Sequence, residues 1–267
     1  MGCETVTLYV DLMSQPSRAC VIFCRLHGLP VVESIVNIGR GETKAAAFRA
    51  INPLGKVPAL QEKGPDGTSQ LVVESGAILE ASGEHEYLAL RFAHMIPSHW
   101  YPPPPAQSDS PATRTAAAVQ ALRGRTDVTS ALHWYHSSIR AGCARIVWNK
   151  VLAPRFGVPA SEAIAQEGVS LLQQSLKSMD DFWLRVRGPF VALCRHRPAV
   201  PMEQLAMLDL ESHGCSMASL LQPHPAVQAW LRAVAGACGP QYAEVHSMLA
   251  KSVAAAGRGK KATASRL

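Results

Sequence analysis

The sequence predicts an α/β domain built on a small mixed sheet, followed by an all-helical domain. Three observations predict it. Strand and helix periodicities alternate in the first third of the chain. The Pro- and Ser-rich stretch Pro97–Ala112 then breaks all periodicity. Beyond it, apolar residues recur only at helical spacing. These breaks divide the chain into residues 1–96, a linker at 97–113, a helical domain at 114–255 and a basic tail at 256–267.

Each element has a local reason. "TVTLYV" (Thr5–Val10) puts Val6, Leu8 and Val10 on one side, the alternation of a strand. From Ser17 the period changes: Ala19, Ile22, Phe23 and Leu26 recur at helical spacing, and Gly28 and Pro30 mark the stop. "VVESIVNI" (Val31–Ile38) reads as a second strand, so the first two strands run parallel across a helical crossover. Gly39–Phe48 holds a short helical run. A third strand begins near Val57, "GPDGTSQ" (Gly64–Gln70) makes a hairpin turn, and Leu71–Glu74 returns. Ser75 is expected to cap a helix beginning at Gly76. A parallel pair extended by an antiparallel hairpin is the pattern of a thioredoxin-like half-domain.

In the helical part, Val119, Leu122, Leu132, Ile139, Ile146 and Val147 suggest one long helix or two. Ser161–Val186 reads as amphipathic, with Ile164, Val169, Leu172, Leu176, Met179 and Phe182 on its apolar face. Met202–Glu211 and Pro223–Ala235 read as shorter helices, with Pro225 in a first turn. The last residues are expected to be irregular.

Composition bounds the function. The chain has 267 residues, 48% of them hydrophobic, enough for two packed domains. The formal charge is +6, of which Arg258, Lys260, Lys261 and Arg266 supply +4. The body is nearly neutral, so no nucleic-acid partner is expected. No apolar run has the length of a membrane span, and no basic n-region marks a signal peptide. The seven cysteines lack CxxC spacing, which favours free thiols in a reducing compartment. Cys20 and Cys24 share a helix face, as small core residues do. His133 and His136 lie one turn apart without further ligands, and no metal is expected.

The chemistry concentrates at "LMSQPSRA" (Leu12–Ala19), where strand becomes helix. Ser14 stands before the helix N-terminus, where the dipole favours an anion. Read alone, its hydroxyl is either a turn group bonding its own backbone or a donor to a bound anion.

The strings "VDLMSQPSRACVIFC", "NPLGKVPAL", "VVESGAIL", "SHWYPP" and "ALHWYHSSIRAG" together resemble the theta class of glutathione S-transferases, particularly the plant and algal type. The likeness covers nearly the whole chain. It implies the glutathione transferase fold, with glutathione as co-substrate. Glutathione's thiol must become a thiolate to act as a nucleophile, and its unperturbed pKa is about 8.5. The resemblance places the stabilising donor on Ser14 and a second contact, to glutathione or a partner subunit, on Gln15. It makes Pro58 cis, puts the Val57 backbone against the cysteinyl part of glutathione and sets Lys56 near a carboxylate; the alternative is a plain turn proline. It sends Ser75 and Glu74 to the γ-glutamyl end, where Ser75 is otherwise an ordinary cap. Thr43 and Lys44 occupy the loop that meets the glycyl end. Leu12, Met13 and Arg140 are the residues implied for the second-substrate pocket.

Two departures stand out. "EASGEH" (Glu80–His85) looks like an insertion of about six residues after the glutamyl-binding helix turn. Where the family carries a Ser/Thr-x-x-Asp capping box, this chain reads "PAVPMEQLAML", with Val200 or Pro201 at the cap. The chain ends Ser265-Arg266-Leu267, close to the peroxisomal address Ser-Lys-Leu, so an import receptor and a peroxisomal or cytoplasmic location are expected.

The resulting expectation is a homodimeric glutathione transferase that conjugates hydrophobic electrophiles or reduces organic hydroperoxides. A non-catalytic assembly module is the rival reading. A thiol transferase or dehydroascorbate reductase would carry cysteine where Ser14 stands.

Overall fold

The computed structural model describes residues 5–64, 66–79, 88–92, 94–97, 130–131, 133–185 and 217–264, with single positions at 119, 123 and 126. The chain divides into two compact units. The first holds the sheet and its helices together with residues 240–245. The second holds most of the helices beyond residue 130.

Among the described residues, four strands form one sheet in the order β2-β1-β3-β4. β1 (Thr5–Val10) runs parallel to β2 (Val31–Ile35) and antiparallel to β3 (Ala59–Lys63), which pairs antiparallel with β4 (Ser69–Val73). Val6, Leu8 and Val10 are buried while Thr5, Thr7 and Tyr9 alternate outward, so the period-2 pattern holds. Between β1 and β2 runs α1 (Gln15–Leu26), buried from Ser17 to Cys24. It starts two residues before the expected Ser17. Pro16 sits in its first turn, where a fixed φ suits the helix and a missing N–H is harmless.

β2 ends at Ile35, short of the expected Ile38. Side chains take over the backbone beyond it: Ile38 N–H donates to Asp11 Oδ2 (2.8 Å) and Asn37 N–H to Glu42 Oε2 (2.7 Å). The chain bends there into a 3-10 turn (Glu42–Lys44) and α2 (Ala46–Ile51). After β4 comes α3 (Ser75–Leu79), which starts on Ser75 itself, not after it. α4 (Leu88–Arg91) follows. The inserted Glu80–His85 and nearly all of the linker lie outside the described residues.

In the second unit, α5 (Ile139–Val147) continues through a π-helical turn (Trp148–Leu152) into α6 (Ala153–Phe156). α7 (Glu162–Ser178) packs on α5 by its small residues. A Cβ on Gly168 would lie 2.8 Å from the Gly142 carbonyl oxygen, so the two backbones touch. This contact shifts the buried face of α7 from the expected one. Ala165, Gly168, Leu172, Ser175 and Leu176 turn inward, and Ile164 is exposed. Phe182 is exposed for a second reason. Past Ser178 the helix widens into a π turn (Met179–Leu184), which turns Asp180 and Trp183 inward.

α8 (Met217–Leu221) precedes α9 (Pro225–Cys238), with Pro225 in its first turn as expected. The α9 N-cap residue, His224, makes no side-chain cap. Asp180 supplies one from a distant helix, its Oδ1 accepting the Ala226 and Val227 N–H groups at 3.0 and 3.3 Å. α10 (Pro240–Ala264) corrects the expectation of an irregular tail: the alanine-rich run at 254–256 has high helix propensity, and the helix continues through Ala264. The capping-box segment at 198–208 and Ser265-Arg266-Leu267 lie outside the described residues. No described helix is long and apolar enough to cross a membrane.

Removing the Asp180 cap strips two N–H donors, that of Val227 buried and that of Ala226 half-buried, of their acceptor. Asp180→Ala is expected to lower unfolding free energy by about 1–2 kcal/mol, read as a shift of the urea midpoint. An unchanged midpoint contradicts the assignment.

Candidate functional site

The site grows out of the end of β1. Asp11, buried, fixes the turn by accepting Met13 N–H at Oδ1 (2.8 Å) and Ile38 N–H at Oδ2 (2.8 Å). Ser14 N–H donates to the Asp11 carbonyl (2.8 Å), and the Ser14 carbonyl accepts the Arg18 N–H (3.1 Å) as the first helical bond. Ser14 is therefore the N-cap residue of α1, yet its hydroxyl makes no capping bond. The hydroxyl instead donates to the Val57 carbonyl at 3.4 Å, longer than the usual O–H···O range of about 2.5–3.0 Å. Such a donor is weakly held, and a stronger acceptor such as a thiolate can capture it.

Positive potential surrounds this hydroxyl. The dipole of the 12-residue α1 points its positive end at Ser14. The fully buried Arg18 donates from Nη1 to the carbonyls of Leu12 (2.9 Å) and Met13 (3.2 Å), so a guanidinium lies under the turn. Ser17, read from sequence as the helix start, is buried within α1, and its Oγ accepts the Asp11 N–H at 3.4 Å.

The opposite wall is the loop before β3. The Val57–Pro58 bond is cis, as the family resemblance implies. Asn52, 1% exposed, braces this loop by donating Nδ2 to the Lys56 carbonyl (2.8 Å) and accepting the Leu54 N–H (3.1 Å). Gly55 adopts φ +59°, and a Cβ there would stand 2.8 Å from the Thr43 carbonyl oxygen. Only glycine lets the loop close on the 3-10 turn, which sets the Thr43 backbone against the loop that carries Lys56. Thr43 is buried; Lys44 and Lys56 are exposed.

The third element follows from register. Ala59 pairs with Val73, so Pro58, just before one strand, and Glu74 and Ser75, just after the other, all lie at this end of the ladder. Glu74 is a non-glycine residue at φ +69°. That conformation costs about 1–2 kcal/mol, and residues so held cluster at functional sites. Ser75 is half-buried at the first position of α3.

The structure thus gathers Ser14, Thr43, Lys44, Lys56, Val57, Pro58, Glu74 and Ser75 around one end of the sheet. Gln15 is buried in the first turn of α1, and Leu12 and Met13 are half-buried in the turn before it. Arg140 is half-buried in α5 and belongs to the second unit. Asp11, Arg18 and Asn52 carry the geometry and escape a sequence reading, because their partners are carbonyls and amides that no spacing reveals. Asp11 and Asn52 each stand where a run ends, the one available signal.

The glutathione S-transferase N-terminal domain family matches residues 14–85. Glutathione S-transferase T1 of Arabidopsis thaliana is 33% identical over 251 residues, 91% of this chain and 89% of its own length. Glutathione S-transferase T2 of the same plant is 32% identical over 249 residues, but the chain spans only 36% of that longer protein. Among solved structures, human glutathione transferase theta-2 in complex with glutathione and an unknown ligand superposes with a TM-score of 0.70. It is 27% identical, with 95% of this chain and 91% of that chain covered. The chain belongs to the glutathione S-transferase family, in its theta class.

Among the described residues, Cys20, Cys24, Cys143 and Cys238 are buried free thiols. Burial pushes the Cys24 thiol well above its usual range, and the neighbouring Cys20 and Glu33 add to the shift. Iodoacetamide at mildly alkaline pH is expected to leave Cys20 and Cys24 unmodified in the folded protein and to label both after unfolding. Peptide mapping reads the result, and native labelling of Cys24 contradicts it.

Proposed function

We propose that the first unit binds glutathione and activates its thiol through Ser14 as a glutathione transferase. The observation that carries this reading is the Ser14 hydroxyl: at a helix N-terminus, not used as a cap, and weakly committed to the carbonyl of a cis-proline loop. The cysteinyl backbone of glutathione would pair with Val57 as an added strand. The glycyl carboxylate would meet Lys44 and Lys56, and the γ-glutamyl end Glu74 and Ser75. The naming of relatives as glutathione S-transferases, and the glutathione complex of the human theta-2 enzyme, support this placement.

The chemistry follows from hydrogen bonding to the charged form, which lowers an acid's pKa. Ser14 donates to S⁻ and keeps its own proton. The thiolate then attacks an electrophilic carbon, forming a C–S bond as the leaving group departs with its electron pair. With a hydroperoxide, it attacks the terminal oxygen. The O–O bond breaks, the alkoxide takes a proton to become the alcohol, and glutathione sulfenic acid forms. A second glutathione converts that species to the disulfide and water.

Turnover of 1-chloro-2,4-dinitrobenzene and of cumene hydroperoxide, measured side by side, separates the two activities. Ser14→Ala is expected to lower kcat/KM by about 10²–10³-fold, the usual loss for one donor to a developing anion. Glutathione affinity by calorimetry should change by less than about threefold, since one weak donor is lost. Failure of the parent protein to bind glutathione removes the enzyme reading in favour of a binding module. Unchanged turnover in Ser14→Ala removes the mechanism.

A further inference from the structure

The second unit carries a groove that the glutathione chemistry does not use. α5 and α7 touch backbone to backbone at Gly142 and Gly168. Beside this crossing lies an open groove of about 500 Å³, lined by Ala144, Arg145, Trp148, Pro159, Ala160 and Ile164 among others. That volume falls within the range of small-molecule sites. Small side chains leave the space, and two large apolar ones flank it. Trp148 is 48% exposed and Ile164 43% exposed, so both present apolar surface to water.

The walls are fixed before any ligand arrives. Asn149, 8% exposed, donates Nδ2 to the Arg145 carbonyl (2.8 Å) and accepts the Ser161 N–H at Oδ1 (2.8 Å). One buried amide thus locks the helix wall to the loop wall. The Ser161 hydroxyl in turn accepts the Ile164 N–H (3.3 Å) and caps α7. Preorganisation of this kind cuts the ordering cost of binding.

Charge selects the ligand. Lys150, at the adjoining turn, is paired with Glu162. Arg145 donates Nη1 to the Ala141 carbonyl (3.0 Å), and among the described residues no carboxylate pairs with it. A guanidinium has five N–H donors in a plane, so most remain for a ligand anion. An indole face and an isoleucine suit a flat apolar body. We propose that this groove binds a small aromatic carboxylate, its ring against Trp148 and Ile164 and its carboxylate on Arg145. The site lies wholly within the second unit and is independent of the transferase reading.

Isothermal titration of the full chain, saturated with S-hexylglutathione to block the glutathione site, tests this with 2-naphthoate and its neutral isostere 2-naphthamide. Naphthoate should bind with one-to-one stoichiometry at micromolar Kd and naphthamide at least about tenfold more weakly, the scale of one charge-assisted contact. Arg145→Gln should erase that difference while leaving naphthamide unchanged. Ala144→Leu, which fills the groove from an exposed helix position, should abolish both. Binding of naphthoate should quench fluorescence in the parent protein and fail to do so to the same extent in Trp148→Phe. Absence of naphthoate binding overturns the proposal. So does equal binding by the parent, Arg145→Gln and Ala144→Leu proteins, each checked for an unchanged circular dichroism spectrum. A fall in sedimenting mass on Ile164→Lys would assign the groove to an interface between copies and likewise overturn it.

Discussion

The carboxylate of Asp11 sets the geometry of the candidate site. It stands at the end of β1 and accepts one backbone N–H from the turn that follows and one from the chain leaving β2. The turn and Ile38, which lies 27 residues beyond Asp11, are thereby tied to one buried side chain. Buried polar groups must be satisfied, and here the satisfaction is reciprocal: the carboxylate needs the amides and the amides need it. The position of Ser14 follows, because its own N–H is held by the Asp11 carbonyl and its carbonyl begins α1.

On that turn the protein assembles positive potential at the Ser14 hydroxyl. The helix dipole, the buried Arg18 beneath the carbonyls of Leu12 and Met13, and exposed lysines on the neighbouring loop act together. A thiolate in such surroundings is stabilised before it forms, since the dipoles are already oriented. The facing wall achieves its shape by steric means. Gly55 permits the loop to close on Thr43, and Asn52 holds the Lys56 carbonyl so that the cis Val57–Pro58 unit presents its backbone toward Ser14.

Most of the first unit was legible in the sequence because its elements are short and locally determined. The alternation of Thr5–Val10, the Gly28 stop and the Gly-rich hairpin each report their own conformation. The candidate residues Ser14, Val57, Pro58, Glu74 and Ser75 came from family resemblance and not from pattern. What pattern could not reveal was long-range polar contact. Asp180 caps a helix 46 residues away, and no spacing rule connects the two. The apolar face of α7 was misread for a related reason. Period-3.6 reasoning assumes large side chains make the contact, whereas Gly142 and Gly168 make it here, and the π turn after Ser178 then resets the phase. Helix through Ala264 was missed because charge and glycine in that segment outweighed its alanines in a composition-based reading.

The central claim is that a hydroxyl donor, and not a base or a cysteine, lowers the pKa of the bound glutathione thiol. Ultraviolet difference titration of the glutathione complex measures this directly, because the thiolate absorbs where the thiol does not. The parent complex should titrate below the free-thiol value of about 8.5–9. The Ser14→Ala complex should titrate at or near that value, with glutathione still bound. Coincident titrations for the two proteins would contradict the account, whatever their rates of turnover.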